Sequence, residues 1–359
     1  MIFGLVGPTY QGLSLKFDTE RSINLFPERI ESGQGKDGAQ FALIGTPGLE
    51  VFSTLADGPV RGLVTVPAIF PDSKDRVFAV GGASLYEILS TGAANLIDSV
   101  RNDKLPVYFA TNGNQVAIAS GKRLYILNLS DGTLTGPSRD SENNLITAAS
   151  VVFLDGFFIV ADEDGKIRYS ALNDGLVWDA LDYVTAETVP DRILALLVDH
   201  EDLIVFGTAS IQFFYNSGDA DNPIVPRTSA TVQMGLVGAA TVARLDNAVV
   251  FIGRDPQAGG AMAYRLNGYT PQRISNHAVE WSWQSYPQLD DAWSYAFVEG
   301  GHTFWHLNFP AADRSWRFDA ATGMWHEPLF WNVRTGAYEQ HLTRTHTAAF
   351  GGHLAGNRP

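Results

Sequence analysis

Apolar residues along this chain come in short runs bounded by turns rich in Gly, Asp and Asn, and helical periodicity is hard to find. The stretch "EDLIVFGTASIQFFYNSGDADN" (Glu201 to Asn222) shows the unit. It predicts a strand over Leu203 to Phe206, a small-residue turn over Gly207 to Ser210, and a second strand over Ile211 to Tyr215. Two strands bury too little surface to stand alone in water, so the hairpin requires partners. Its counterparts begin at Arg76, Gln115, Phe157, Ala248 and His302, and a partial one begins at Thr347. With Leu203 included, successive starts differ by 39, 42, 46, 45, 54 and 45 residues.

A further apolar strand precedes most hairpins: "GPVRGLVTV" at Gly58, "VYFATN" at Val107, "AASVVFLDG" at Ala148, "RILALLVDH" at Arg192, "GAATVARLDN" at Gly238 and "SYAFVEGG" at Ser294. The fourth strand of each unit is weakly marked, as suits an outer edge. A period of about 40–50 residues is that of four-stranded propeller blades. The fold expected is all-β, a β-propeller of about six to seven four-stranded blades over residues 58–359, the last apparently incomplete. A β-sandwich with evenly spaced strands is the plainer alternative. Residues 1–57 lie outside the repeat and read as an extended arm. Either that segment closes the ring, or the chain as given lacks strands of the last blade.

Composition narrows the function classes. The 359 residues include 35 Gly and 17 Pro, which suits many short strands, and no Cys, which removes disulfides, thiolate metal sites and cysteine nucleophiles. The N-terminus has no secretory signal pattern, and no apolar run reaches the roughly 18 residues needed to span a bilayer. These features lead us to expect a soluble protein without a membrane anchor, made in a cytoplasm. A net charge of −14 argues against a protein that grips a phosphate backbone, yet suits a surface that DNA slides past. Lysine stops after Lys166, whereas seven of eight Trp follow position 280. Enrichment in Trp with depletion of Lys is typical of partner-facing surface.

Candidate chemistry is sparse. "DEDGK" at Asp162 lacks the remaining ligands of a calcium loop and reads as a hairpin turn. "SALNDGLVW" (Ser170 to Trp178) and "DAATGMW" (Asp319 to Trp325) resemble the Asp-box turns of sialidase-type propellers, which support architecture rather than catalysis. His302 and His306 in "HTFWH" share a strand face but lie about 13 Å apart, so one metal does not reach both. The Gly-rich "GRDPQAGGA" at Gly253 has no P-loop lysine. We therefore expect no catalytic residues, no cofactor and no metal. A carbohydrate-binding or glycoside-hydrolysing propeller remains the alternative. A WD or kelch scaffold fits less well, because "WD" occurs once and the Gly-Gly doublets are irregularly placed.

An ordered series of motifs then becomes informative: "ERSINLFPERIESG" from Glu20, "GTPGLEVF" from Gly45, "GPVRGLVTV" from Gly58, "DLIVFGTASIQFFYNSG" from Asp202 and "MGLVGAATVARLDNAVVFIGRD" from Met234. Together they resemble the packaged-DNA stabilisation proteins, or tail hub (nozzle) proteins, of short-tailed bacteriophages. The resemblance implies a structural, non-enzymatic virion protein of the tail, made in the host bacterial cytoplasm. It implies a homo-oligomer, a hexameric ring between portal–adaptor proteins above and tail needle, tailspike or fibre proteins below. Such a ring helps retain packaged genome and lines the DNA exit channel without specific binding. Related proteins usually continue past a stretch like Gly351 to Gly356, which puts the C-terminal contribution to the platform in doubt. The acid surplus suits a channel wall, an expectation that an uncharged or basic lumen would defeat.

Two candidate partner contacts follow. Ile23, Asn24, Leu25, Phe26 and Pro27 of "INLFPE" form an arm contacting a neighbour or sealing a platform, with a plain lead-in to the first strand as the alternative. Trp281 and Trp283 head an aromatic set, with Trp293, Trp305 and Trp316, that forms either a partner surface or inter-blade core.

Overall fold

The computed structural model describes residues 7–12, 19–30, 40–68, 74–162, 165–186, 191–255 and 259–359. Six antiparallel sheets follow one another along the chain, each strand pairing with the next. Blade one comprises Val60–Val66, Arg76–Gly81, Ser84–Ile88 and Ala94–Ser99. Blade two comprises Tyr108–Thr111, Gln115–Ser120, Arg123–Asn128 and Leu134–Thr135. Blade three comprises Ser150–Leu154, Phe157–Ala161, Lys166–Tyr169 and Tyr183–Thr185. Blade four comprises Ile193–Asp199, Asp202–Gly207, Ile211–Asn216 and Ile224–Pro226. In blade five, Gly235–Leu236 and Ala243–Leu245 both pair with Ala248–Arg254, which is followed by Ala261–Asn267 and Thr270–Arg273. Blade six comprises Trp293–Glu299, His302–Phe309, Arg314–Asp319 and Met324–His326. The expected propeller is therefore the fold.

Side-chain alternation explains why the second strands read as unbroken apolar runs. Each is sandwiched, so both of its faces are buried. In blade four, Leu203 and Val205 pack with Ile159, Ala161 and Ile167 of blade three. The intervening Ile204 and Phe206 pack with Val249 and Phe251 of blade five. The same alternation joins blade one to blade two through Phe78 and Val80, and blade two to blade three through Ala117 and Ala119. Outer strands are less buried, apart from that of blade six, where Trp325 and His326 are both buried. Leu96 in the fourth strand of blade one is 64% exposed.

The ring closes in a different way. The hairpin Thr343–Ala349/Gly352–Asn357 sits between the first strand of blade six and the first strand of blade one, as a two-stranded seventh element. Thr65 Oγ1 of blade one meets Thr347 Oγ1 at 2.8 Å and donates to the Ala348 carbonyl at 2.9 Å. Gly356 permits this approach: a Cβ there would lie 2.5 Å from Val60 Cγ1. Ala349 and Leu354 complete an apolar cluster with Val77, Ala79, Tyr86 and Ile88 of blade one, joined by Leu55.

The N-terminal segment reinforces the closure. Residues 21–24 run along the outer end of blade six, where Asn24 N–H donates to the Glu327 carbonyl at 3.0 Å and Glu327 N–H donates to the Ser22 carbonyl at 3.0 Å. A two-stranded hairpin follows, Leu25–Ile30 paired with Gln40–Gly45. The chain then crosses to blade one, where the Asp57 carboxylate accepts from Ala83 N–H at 2.7 Å and from Ser84 Oγ at 3.0 Å.

Blade four repeats that last device. Asp191 accepts from the N–H groups of Thr208 (2.8 Å), Ala209 (2.8 Å) and Ser210 (2.7 Å), and from both hydroxyls, at the small-residue turn. Burial pushes this carboxyl up, but the Thr208 hydroxyl and the three N–H groups outweigh it and hold it below its ordinary range. Asp191→Ala is expected to cost about 2–3 kcal/mol, the scale of hydrogen bonds to a charged acceptor. Urea unfolding at pH 7 measures it, and an unchanged midpoint would refute this role.

Candidate functional site

The arm residues separate by face. Ile23 forms a parallel bridge with Glu327. Asn24, at φ +56°, a left-handed conformation that Asn tolerates better than most residues, donates from Nδ2 to the Leu329 carbonyl at 2.9 Å and accepts from Leu329 N–H at 2.8 Å. Arg21 grips Glu327 with two bonds of 2.9 and 2.7 Å. Phe26 is 7% exposed and packs edge-on to His302 (5.0 Å between ring centroids) and Phe304 (5.1 Å), with His326 at 6.2 Å. Pro27 is also buried, whereas Leu25 is exposed, as are Leu43 and Ile44 on the paired strand. Phe26 and Pro27 are thus occupied within their own chain, and the exposed apolar edge belongs to Leu25, Leu43 and Ile44.

Trp283 requires a correction as a surface residue. Trp281 and Trp283 lie in the helix His277–Gln284, whose N-terminus is capped by Asn276 Oδ1 accepting from Val279 N–H at 3.0 Å. Two positions on a helix are about 200° apart, so the pair faces opposite ways. Trp281 is 47% exposed, while Trp283 is 1% exposed and packs against Phe309 and Trp325. Trp293, Trp305 and Trp316 are likewise buried. The two Asp-box stretches are structural: Asp174 and Asp319 accept bonds within their own turns, and Trp178 and Trp325 are in the core. In "DEDGK", Asp162 accepts from Lys166 N–H at 3.0 Å, while Glu163 and Asp164 lie outside the described residues.

Blade six has two unlike faces. Trp305, Leu307, Phe309, Trp316, Phe318 and Trp325 pack with blade five. The alternate positions His302, Phe304, His306, Asn308, Ser315, Arg317 and His326 form the other face. His302 Nδ1 meets Asp319 Oδ2 at 2.8 Å. His306 stacks on Tyr295 (4.8 Å), bonds Asn308 Oδ1 through Nε2 at 3.2 Å, and lies 4.9 Å from the His341 ring. His326 is fully buried, with neither ring nitrogen hydrogen-bonded among the described residues. The Arg317 guanidinium lies 5.0 Å over Phe297 and 5.4 Å over Phe304. No group of three or more His, Asp or Glu among the described residues is arranged to hold a metal.

Burial, with Arg317 adding repulsion, pushes His326 and His306 well below the ordinary histidine value; His341 falls to about 3 and His346 to about 4. A histidine with a lowered folded pKa binds its proton first in the unfolded chain. Its contribution is therefore intact above about pH 6.5 and is lost as pH falls from there towards the folded value. Unfolding free energy is expected to drop steeply between pH 6.5 and 4. His326→Phe, which removes one titrating group and its two orphaned nitrogens, is expected to reduce the slope by about 1.4 kcal/mol per pH unit near pH 5. Urea titrations of both proteins at several pH values test this; parallel slopes would contradict it.

A cavity of about 1080 Å³ opens at the end of the propeller where the first strands of blades two to six begin. Its rim carries Lys104, Lys122, Arg192, Arg254 and Arg344 against Asp103, Asp290 and Asp291. Asp103 is engaged by the buried Arg61 at 2.8 Å, and Asp291 accepts from Ala311 N–H at 2.7 Å. None of the seam histidines lines this cavity. Sequence reading passed over Arg344, since nothing in "TRTHT" marks it out.

Three comparisons bear on this geometry. A family model described as "Bacteriophage P22 Gp10, beta-propeller" matches residues 5–357. No curated protein matches the chain. Among solved structures, the chain is similar to the computationally designed Ika8 protein, with a TM-score of 0.46, 14% identity, and coverage of 83% of this chain and 80% of that one. It is also similar to a chain of the Mitotic Checkpoint Complex (0.46, 11%, 87% and 96%) and to the WD40 beta propeller domain of Doa1 (0.46, 9%, 85% and 92%). These likenesses are too distant to bear on function.

Proposed function

The chain belongs to the phage packaged-DNA stabilisation family, and on that premise we propose that it is a tail hub (nozzle) subunit of the virion. In this reading, copies form a hexameric ring that joins the portal–adaptor assembly to needle, tailspike or fibre proteins and helps retain the packaged genome. The family match over residues 5–357 carries the reading.

Surface chemistry supports it. Apolar side chains are exposed on two hairpins that project from the blades: Leu25, Leu43 and Ile44 at the N-terminal end, and Trp331, Val333 and Tyr338 in and beside Leu329–Asn332/Ala337–Gln340. Val333 is 86% exposed, which favours a protein neighbour in the assembled state. The net charge of −14 suits a wall past which DNA moves without adhering. The strongly perturbed histidines lie in packed seams, a placement that suits a structural role and not acid–base chemistry.

Native mass measurement and electron microscopy of the purified chain, alone and with a portal–adaptor assembly, test the proposal. Rings of six that bind the adaptor are expected. Replacing Trp331 and Val333 together by Asp is expected to weaken assembly at least about tenfold, as loss of a central apolar anchor does, while leaving the melting temperature unchanged. A strict monomer that ignores the adaptor would sink the reading, and glycoside hydrolysis would replace it with the carbohydrate alternative.

A further inference from the structure

The two sides of the closing hairpin differ in what they can titrate. Six of the eight histidines lie on the hairpin, just before it, or on the face of blade six that it covers. The other two, His200 and His277, are exposed, so the seams between blades one to six hold none. On the blade-six side, His346 Nε2 and His353 Nδ1 meet at 3.0 Å across the two strands. The His346 ring stacks on Tyr295 at 5.5 Å and lies 5.6 Å from Phe297, and His353 lies 6.0 Å from Phe297. His341, just before the hairpin, meets Thr343 Oγ1 through Nδ1 at 2.8 Å and faces His306. On the blade-one side the contacts are Thr65 with Thr347 and Ala348, Val60 against Gly356, and the apolar cluster of Ala349 and Leu354.

The charges facing the blade-six side are unbalanced. Blade six contributes His302, His306, His326 and Arg317, the phenol of Tyr295, and the carboxylates Glu299, Asp313 and Asp319. Asp319 is engaged by His302 and by its own turn, and Asp313 accepts from Gln340 N–H at 2.9 Å. Next to the hairpin, Glu339 is held by Arg358 at 2.9 Å, and the arm's Arg21 is held by Glu327. On the hairpin itself, Arg344 lies over Trp293. Blade one contributes Arg61, committed to Asp103, and Asp57 is bound to the turn at Ala83 and Ser84. Burial keeps His306, His326, His341 and His346 neutral while the seam is closed. Separation returns them to water, where an imidazole takes a proton near pH 6.5. Their contribution is therefore present above that pH and is lost as the pH falls below it.

We infer that the seam between blade six and the closing hairpin is an acid-opened latch: in mild acid it parts, the hairpin stays on blade one, and the six blades remain folded. The bonds that fix this seam are directional, from Asn308 to the Thr343 carbonyl, from His341 N–H to Ser315, and between the Tyr295 and Thr343 hydroxyls. Like charges gathered beside Arg317 push these groups out of line. The contacts on the blade-one side join hydroxyls and apolar groups, which acid leaves unchanged. Local opening of this kind falls on the element with the fewest strands to hold it. Phe26 closes the outer end of the same seam on His302 and His326, so opening frees that arm residue as well. The latch uses residues of one chain and is independent of assembly into a larger ring.

The chain has no cysteine, so a single introduced thiol reads the seam. Ser315→Cys places one in it, and Ala119→Cys places a control between blades two and three; Ser315 is 0% and Ala119 2% exposed. Labelling of the full chain by a pyridyl disulfide is compared between about pH 7.5 and 5.5, relative to the unfolded chain at each pH. Each freed histidine contributes about tenfold over that range, so His341 and His346 alone are expected to raise labelling of the Ser315→Cys protein at least about 100-fold. Labelling of the Ala119→Cys protein is expected to stay flat. Adding His346→Phe, whose ring can keep the stack on Tyr295, is expected to cut the rise about tenfold. Should Ser315→Cys label already at the upper pH, Thr343→Cys reads the same seam from the hairpin, and labelling of both there would overturn the inference. Equal rises in seam and control, which mean global unfolding, would overturn it too, as would a flat seam or a rise that His346→Phe leaves unchanged.

Discussion

Closure of the ring is the constraint on which every other contact depends. Blades one to five are apolar on both faces, and blade six on its face toward blade five, because each face has a neighbour to pack against. An open ring would leave Val77, Ala79, Tyr86 and Ile88 of blade one in water, together with Phe297 and Phe304 of blade six. Six sheets leave one position unfilled, and two strands occupy it. A two-stranded element is marginal alone, so its stability derives from the blades on either side. The outer part of that gap is served by a different piece of chain, residues 46–57, which carries Leu55 into the same cluster. The first and last segments of the protein therefore solve one problem jointly.

The seam between blade six and the closing hairpin is built differently from the others. Five seams rely on interdigitated Val, Ile, Leu and Phe, which specify distance more than register. Here Asn308 Nδ2 donates to the Thr343 carbonyl, Ser315 Oγ accepts from His341 N–H at 2.7 Å, and Tyr295 meets Thr343 at 2.6 Å between hydroxyls. A hairpin with no outer strands lacks the usual means of fixing its position, and directional bonds supply it. The accompanying burial of Arg317 and His326 costs desolvation that an apolar seam avoids. Specific placement of the last element is obtained against a cost in stability, and that cost rises in acid.

How much of this was legible in the sequence depends on whether the signal was local. The second strand of every blade was legible because double burial forces a continuous apolar run, as in Leu203 to Phe206. The helix His277–Gln284 was not, since eight residues with Trp at 281 and 283 imitate strand alternation. The arm stood out as "INLFPE", yet the aromatic box that takes Phe26 is built from His302, Phe304 and His326, far along the chain. Arg344 had no local signature at all. Its setting comes from Trp293, about fifty residues earlier, which only the folded ring brings beneath it. Seven-position closure was legible in part: the partial hairpin at Thr347 stood out, but not that two strands would fill the position with Leu55 from residues 46–57 beside them.

The distribution of charge gives the two surfaces of the subunit different tasks. With a net charge of −14, the exterior repels a polyanion over about 8 Å at physiological ionic strength, the range over which salt leaves the field intact. Within the mouth the balance shifts locally: Arg61 engages Asp103, and Lys104, Arg254 and Arg344 line it beside Asp290 and Asp291. A long polyanion must bring many charges through the outer field to reach those cations. An acidic protein can therefore carry a locally cationic mouth without becoming a nucleic-acid binder.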